Sequence, residues 1–399
     1  MITPAVAAFA AALPDAQLPA YVYDLAALRT HASAIRAALP DAVECYYAVK
    51  ANPDAPLLRE LSGVVDGFEV ASGGELDHVR TAVPAARLAF GGPAKTDAEL
   101  TAALCAGVHR IHVESGHELR RIGRLAARTG TRAHLLLRVN LPVHTGAAAL
   151  AMGGGQFGID PADVPECLDV VGADDNLTCH GIHVHPASGL AAADQLSVAR
   201  AVVEWACRNG FGEIDIGGGM AVDYLAPENR YDWAALGAGL RDILATAGDV
   251  RLRIEPGRAV TAYCGWYVAS VVDVKHSGGQ AFAAIAGGTH HLRTPAAKGH
   301  DQPFDVLAVP GWDLPWARPA AVAEPVTVVG QLCTPKDVLA RRVPVAALRA
   351  GDRIAFGMAG AYGWHISHRD FLLHPRPTFH YLGAETPRGV PVGTGTPRG

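Results

Sequence analysis

The run CYYAVK, residues 45–50, places apolar or aromatic side chains one after another and then a lysine, Lys50, just before the turn Ala51-Asn52-Pro53. Burying an ammonium is costly, so a lysine at the tip of a buried strand needs a partner, a shifted pKa or a task. The plain alternative is a lysine that leaves the core and snorkels into water. Other reactive or ligand-like residues also end short apolar runs. Glu69 lies near the end of VVDGFEV, Glu114 follows RIHV, and Arg138 lies near the end of HLLLRV. His183 and His185 end GIHVH, Gly217, Gly218 and Gly219 follow EIDI, and Glu255 follows RLRI with Gly257 and Arg258 just after it. His183 is expected to be structural, because it falls out of phase with Val184 in a packed strand.

A lysine stripped of water suits Schiff-base formation with an aldehyde. The segment DIGGGMAVDY lacks the spacing of a nucleoside-triphosphate loop. Its backbone N–H groups can still hold a single phosphate, and EPGR can offer a second set. A glycine run alone is most often only a turn. The lysine, two phosphate-type loops and an acid together suggest pyridoxal 5′-phosphate, with the acid opposite the pyridine nitrogen. No metal site is expected.

The elements that must position these groups are short β-rich runs at 43–49, 64–70, 87–90, 110–114, 134–139, 181–185, 213–217 and 251–255, with amphipathic helical stretches between them. Eight such units point to a (β/α)8 barrel, whose active sites lie at the C-terminal ends of the strands. The strand count alone does not exclude a doubly wound sheet. After residue 256 the texture changes to strands such as YCGWYVASVVDVK and EPVTVVG, joined by Pro- and Gly-rich loops. The expected division is a cofactor-binding barrel over 25–258, a β domain built from 1–24 and 259–384, and a disordered tail at 385–399. Gly153, Gly154 and Gly155 are expected in a mobile loop after the fifth barrel strand.

The chain has 399 residues, is 50% hydrophobic, and carries a formal charge of −5 from 34 basic and 39 acidic side chains. That balance gives no polybasic face for nucleic acid or anionic lipid. Seven scattered cysteines without a CxxC read as reduced thiols of a cytoplasmic protein. No apolar run approaches the roughly 20 residues that span a bilayer. The Ala-rich start has no basic segment and reads as a helix, not a signal peptide.

YYAVKAN, FEVASGGEL, LLRVN, HVHPAS, DIGGG, EPGRAV, QLCTPKD and GAYG, taken in order from about residue 20 to 382, resemble the fold-type III pyridoxal-phosphate decarboxylases. That family includes the diaminopimelate, ornithine and arginine enzymes. FGGPAKTDAEL, QLCTPKDVLA and GAYGWHISHRDFLLHP look most like its siderophore-biosynthesis branch, which acts on citryl-diaminopropionate-type intermediates. The resemblance implies a barrel with a C-terminal β domain, pyridoxal 5′-phosphate, a small amino-acid substrate, and a homodimer with shared sites. It makes Lys50 the Schiff-base lysine, His185 the histidine on the ring face, and Ser188 a neighbour of the phosphate. Arg138 becomes the arginine at the base of the site, Gly217, Gly218 and Gly219 the phosphate loop, and Glu255 the acid on the ring nitrogen. Gly257 and Arg258 fall on the phosphate side, Tyr362 beside the phosphate or aldehyde, and Glu69 near the ring oxygen. Cys333 and Asp337 match a loop that enters the neighbouring subunit's site, where the cysteine protonates the product. Arg293 resembles an arginine that holds a substrate carboxylate.

Two departures stand out. Pro186-Ala187 replaces the usual Ile-Gly in the histidine motif, and Thr334 follows the loop cysteine where diaminopimelate and ornithine enzymes commonly have an acid. Thr334 has no charge for a distal ammonium. Arg293, Lys336, His290, His291, His365 and His368 are candidate cations for a substrate rich in carboxylates. A diaminopimelate or other basic amino-acid decarboxylase is the alternative. A racemase on the same barrel would carry an arginine in place of Glu255, and a non-catalytic cofactor carrier would lack the β domain.

Overall fold

The computed structural model describes residues 2–143, 150–151 and 155–384. Gly153 and Gly154 of the expected glycine loop, and the tail expected from residue 385, lie outside the described residues. Strand β1 is Ala20–Asp24; β2 to β9 are Val43–Ala48, Gly67–Val70, Leu88–Phe90, Arg110–Val113, Ala133–Arg138, Leu177–His183, Glu213–Asp215 and Arg251–Ile254. Strands β2 to β9 pair in chain order, all parallel, and β9 returns to β2 to close the barrel. Strand β7, the sixth of the barrel, begins earlier than the expected residue 181, at Leu177, because Leu177, Thr178 and Cys179 already pair with Ala133, His134 and Leu135 of β6.

The strand period of two sorts the side chains. Cys45, Tyr47, Phe68, Val70, Leu88, Phe90, Ile111, Val113, Leu135, Leu137, Ile182, Ile214, Leu252 and Ile254 join the apolar layer under the surrounding helices. The opposite parity points inward and is largely polar: Glu44, Glu69, Arg110, His112, Arg138, His183, Glu213, Asp215 and Arg253. The helices are delimited by local chemistry. Thr96 and Glu99 form a reciprocal cap on Asp97–Cys105. Ser115 caps Gly116–Thr129, which ends at Gly130 with φ 65°.

The β domain is an eight-stranded sheet. Strands β10 to β16 are Gly265–Ser277, Gln280–Ile285, Phe304–Leu307, Ala320–Val329, Val338–Arg349, Arg353–Phe356 and Thr378–Leu382. The order β12-β15-β10-β11-β13-β14 is extended by β1, which pairs antiparallel to β10 and parallel to β16. Helix Pro4–Ala12 packs Val6 and Ala10 against Val22, Trp266 and Val268 of this sheet. Two contacts bring the β domain to the Lys50 turn. Asn52 Nδ2 donates to Gly360 O at 2.9 Å, and Tyr362 N donates to Ala51 O at 2.7 Å.

Candidate active site

Lys50 is not the last residue of β2 but the middle of a single 3₁₀ turn, Val49–Ala51. Its Nζ donates to Glu69 Oε2 at 2.7 Å. Its side chain stays 48% exposed, which corrects the expectation of a lysine fully stripped of water. Burial alone would lower its pKa. The Glu69 carboxylate, with Tyr362 and Glu255, reverses that and holds the ammonium above the ordinary lysine value.

The loop after β8 is built for close approach. Gly217 has φ 64° and Gly219 φ 95°, conformations that favour glycine. A methyl on Gly218 would stand 2.3 Å from Glu255 O, and one on Gly219 2.3 Å from Ala187 O. Gly217 N donates to Asp215 Oδ1 at 2.9 Å, and Glu255 N donates to Gly217 O at 2.8 Å. Gly189 N and Leu190 N both donate to Gly219 O, at 2.8 and 2.9 Å, so the Ser188 turn is clamped onto the same loop. His185 sits against Gly217, and its Nδ1 is buried without a hydrogen-bond partner. Burial, with Lys50 and Arg138, pushes its pKa down to about 3, so the ring is neutral at working pH.

Arg138 Nη1 donates to Glu114 Oε1 at 2.5 Å, and its guanidinium stacks 4.8 Å over Phe157. Gly158 N donates to the other Glu114 oxygen at 2.8 Å. Behind this pair, buried Lys95 is held by Glu118 and by His112 O. Arg258 Nη1 donates to Tyr224 Oη at 2.9 Å and stacks 4.4 Å over Tyr362. Tyr362 holds φ 51°, fixed by its N–H on Ala51 and by the Thr294 hydroxyl on its carbonyl.

Below these groups lie residues that reading strand tips alone missed. His112 stacks on His183 with ring centroids 4.3 Å apart and 16° between planes. His183 Nε2 is 3.4 Å from Glu255 Oε2, and His112 Nε2 is 3.9 Å from both Glu255 Oε1 and Asp215 Oδ2. Arg253, fully buried, binds Glu44 at 2.6 Å and Glu213 at 2.9 Å, and stands 3.6 Å from Asp215. Burial, then Asp215 and Glu69, pushes the Glu255 carboxyl well above the usual carboxylate range. The available signal was alternation: RIHVE, EIDIG and RLRIE each carry a polar side chain at every second position.

The β-domain candidates are arranged differently. Cys333 is exposed. Asp337, expected at the substrate, is buried and its carboxylate is already engaged. Its oxygens accept from Thr289 N at 2.7 Å and Leu332 N at 2.8 Å, so in its own chain it braces a loop. Thr334 Oγ1 accepts from Lys336 N at 3.3 Å. Arg293 is exposed, with its backbone N–H on Ser367 Oγ at 3.0 Å. His365 Nε2 lies 2.8 Å from Asp54 Oδ1. His290 and His291 are fully buried and poor cations: burial pushes their pKa values down to about 4 and about 3. This corrects the expectation that they meet carboxylates as charges.

A family model described as "Pyridoxal-dependent decarboxylase, pyridoxal binding domain" matches residues 25–262. The chain belongs to that family. It is 39% identical over 373 residues to the 2-[(L-alanin-3-ylcarbamoyl)methyl]-2-hydroxybutanedioate decarboxylase of Staphylococcus aureus (strain NCTC 8325 / PS 47), covering 91% of this chain and 93% of that one. It is 34% identical over 360 residues to the diaminopimelate decarboxylase of Actinosynnema pretiosum subsp. auranticum, covering 86% and 79%. The structure of diaminopimelate decarboxylase from Helicobacter pylori, complexed with L-lysine, superposes with a TM-score of 0.80 at 23% identity over 92% of each chain, a likeness of fold. As a pyridoxal-dependent decarboxylase, this protein must seat a phosphate, an aldehyde and a pyridine ring. The residues present fit. The glycine loop has no room for side chains, Lys50 reaches the mouth, and Glu255 Oε1 and His185 Nδ1 are buried polar atoms without hydrogen-bond partners. Among the described residues, no helix is long and apolar enough to cross a membrane.

Proposed function

We propose that this decarboxylase removes the α-carboxylate of a carboxylate-rich amino acid of the citryl-diaminopropionate type, in siderophore biosynthesis. The observation that carries this reading is the 39% identity, over nearly the whole of both chains, to the Staphylococcus aureus enzyme. The name of that enzyme's substrate describes a hydroxybutanedioate joined by an amide to carbon 3 of alanine. It has one amino-acid centre and two further carboxylates, and no second ammonium. Thr334, uncharged beside Cys333, agrees with such a substrate, since a distal ammonium placed there would lose its water without a partner.

Bound pyridoxal phosphate supplies the electron sink for the carbanion left when CO2 departs. Lys50 would hold the aldehyde end, with Glu69 orienting its Nζ. The N–H groups around Gly217, Gly218, Gly219 and Gly257, with Ser188, Arg258 and Tyr362, hold the phosphate. With the cofactor bound, His185 would cover one ring face as a neutral imidazole, Arg138 would support the base of the site, and Glu255 would face the ring nitrogen. The active form is a cytoplasmic homodimer, and the seven cysteines, all free, agree with a reducing compartment. Cys333 of the partner subunit delivers the thiol proton to the product carbon. Asp337 sets that loop, and Arg293 meets a substrate carboxylate.

The test is CO2 release from citryl-diaminopropionate, meso-diaminopimelate, ornithine and lysine. The expected kcat/KM for the first exceeds each of the others by more than about tenfold, as a pocket matched to charge can enforce. Comparable or faster release from meso-diaminopimelate would return the protein to lysine biosynthesis.

A further inference from the structure

Among the described residues, the ion-paired interior of the barrel has one acid more than it has cations. Arg253, Arg110 and Arg87 are the cations of its floor, set against Glu44, Glu213 and Asp215. Arg110 grips Glu213 with two hydrogen bonds, of 2.9 and 2.6 Å, and Arg87 reaches Glu44 at 2.9 Å. Higher up, Lys50 pairs with Glu69 and Arg138 with Glu114. Every cation is then matched, and Glu255 is left over. It is 6% exposed, its Oε1 has no hydrogen-bond partner among the described residues, and it converges with Asp215 on His112 Nε2, which lies 3.9 Å from an oxygen of each. Asp215 Oδ2 is equally buried and equally unpartnered, while Asp215 Oδ1 is committed to Gly217 N. Two adjacent carboxylates in a dry site cannot both be ionised at low cost.

We propose that Asp215 is a positioning residue that stores a proton on Glu255: in the apoprotein Glu255 is a neutral acid donating its O–H to Asp215, and this same proton passes to the ring nitrogen of the cofactor. The transfer balances. The Glu255 O–H bond breaks, a nitrogen–hydrogen bond forms, and the new carboxylate faces the new pyridinium. Asp215 stays ionised throughout, matched by Arg253. The groups that face the pair are Arg253 from β9, His112 from β5, His183 from β7, and Glu69 and Lys50 at the mouth. Both histidines are held neutral, first of all by burial, so neither supplies a competing charge. The same carboxylate also anchors the glycine loop through Gly217, so one residue couples the phosphate end of the site to the ring-nitrogen end.

The experiment uses apoprotein and pyridoxine 5′-phosphate, which keeps the ring nitrogen and phosphate but has no aldehyde, so binding does not depend on Lys50. Difference infrared spectroscopy at neutral pH should show a protonated-carboxyl C=O band that disappears when the analogue binds and is absent in Glu255→Gln. In Asp215→Asn the amide oxygen can still accept from Gly217 and Arg253 keeps Glu44 and Glu213, but the like charge beside Glu255 is gone, so Glu255 should ionise more readily. Its proton affinity should fall at least tenfold and the band should be lost. Calorimetry in buffers of different ionisation enthalpy should then show about one more proton taken from solvent on analogue binding than in wild type. Wild-type apoprotein without the band, a band that persists with the analogue bound, or an Asp215→Asn protein with wild-type band and proton uptake would each overturn the proposal. If Asp215→Asn fails to fold, the wild-type and Glu255→Gln spectra still decide it.

Discussion

The mouth of the barrel and the 331–337 loop of the β domain are built on different terms. At the mouth, groups from six strands lock one another at short range within a single chain. Lys50 meets Glu69, Arg138 meets Glu114, and Gly217 joins Asp215 to Glu255. In the loop, the hydrogen bonds run back into the β domain. Gln331 N donates to Gly287 O at 2.9 Å, Asp337 takes the N–H groups of Thr289 and Leu332, and Cys333 stays exposed. The difference teaches that the mouth is locked by contacts among barrel strands, while the loop is braced on the β domain and leaves Cys333 exposed.

The largest effect is expected from Lys50→Ala. Decarboxylation should fall by at least about 10⁴-fold, and borohydride should no longer fix the cofactor to the protein. The fold should persist, because Lys50 makes one ion pair at a half-exposed position; an unchanged turnover would break the assignment of the mouth. Next comes Gly219→Ala. Left-handed backbone with a side chain costs about 1–2 kcal/mol, and the methyl would also press on Ala187 O at 2.3 Å. Cofactor affinity should drop at least tenfold, read by titrating the apoprotein, and wild-type affinity would deny the loop its phosphate role.

Asp337→Ala sharpens the contrast from the other side. It strands two buried N–H groups, at about 1–3 kcal/mol each, so thermal stability and kcat/KM should fall. The cofactor spectrum should not change, and a spectrum lost together with activity would erase the division between the two regions. The smallest effect is in pH. His112, His183, His185, His290 and His291 all have lowered folded pKa values, mainly through burial. Between pH ~6.5 and ~4 the unfolded chain therefore binds more protons at these sites. Asp215 and Glu255, with raised values, work in the opposite direction, but they are two groups against five. Stability should be full above pH ~6.5 and fall as pH drops through that window. Thermal melts that rise on acidification would contradict the sign.

Much of the mouth was legible because the barrel puts every strand tip on one rim. Lys50, Glu69, Arg138, His185, the glycine loop and Glu255 stand at those tips, and each can be read without knowing its partner. The floor was harder. Parallel strands covered on both faces are expected to be apolar, so RLRIE and EIDIG passed as strands whose ends mattered, and the matching of Arg253 with Glu44, Glu213 and Asp215 went unread. Those partners lie about 40 or more residues apart in sequence, as in Arg253 with Glu213 at |i−j| = 40 and with Glu44 at 209. The surroundings of Asp337 and His290 were hidden for the same reason. Whether a carboxylate is free for substrate depends on which backbone N–H groups fold onto it, and pattern alone does not show that.

The division of the site is tested most directly by subunit mixing. Lys50→Ala and Cys333→Ala proteins, each inactive, are unfolded together, refolded, and purified as hybrids through two different tags. If Cys333 serves the partner's Lys50, every hybrid keeps one intact site of two. Unsorted mixtures should then recover about a quarter of wild-type activity, since half of randomly paired dimers are hybrid. Purified hybrids that form and bind cofactor but release no CO2 would contradict the account.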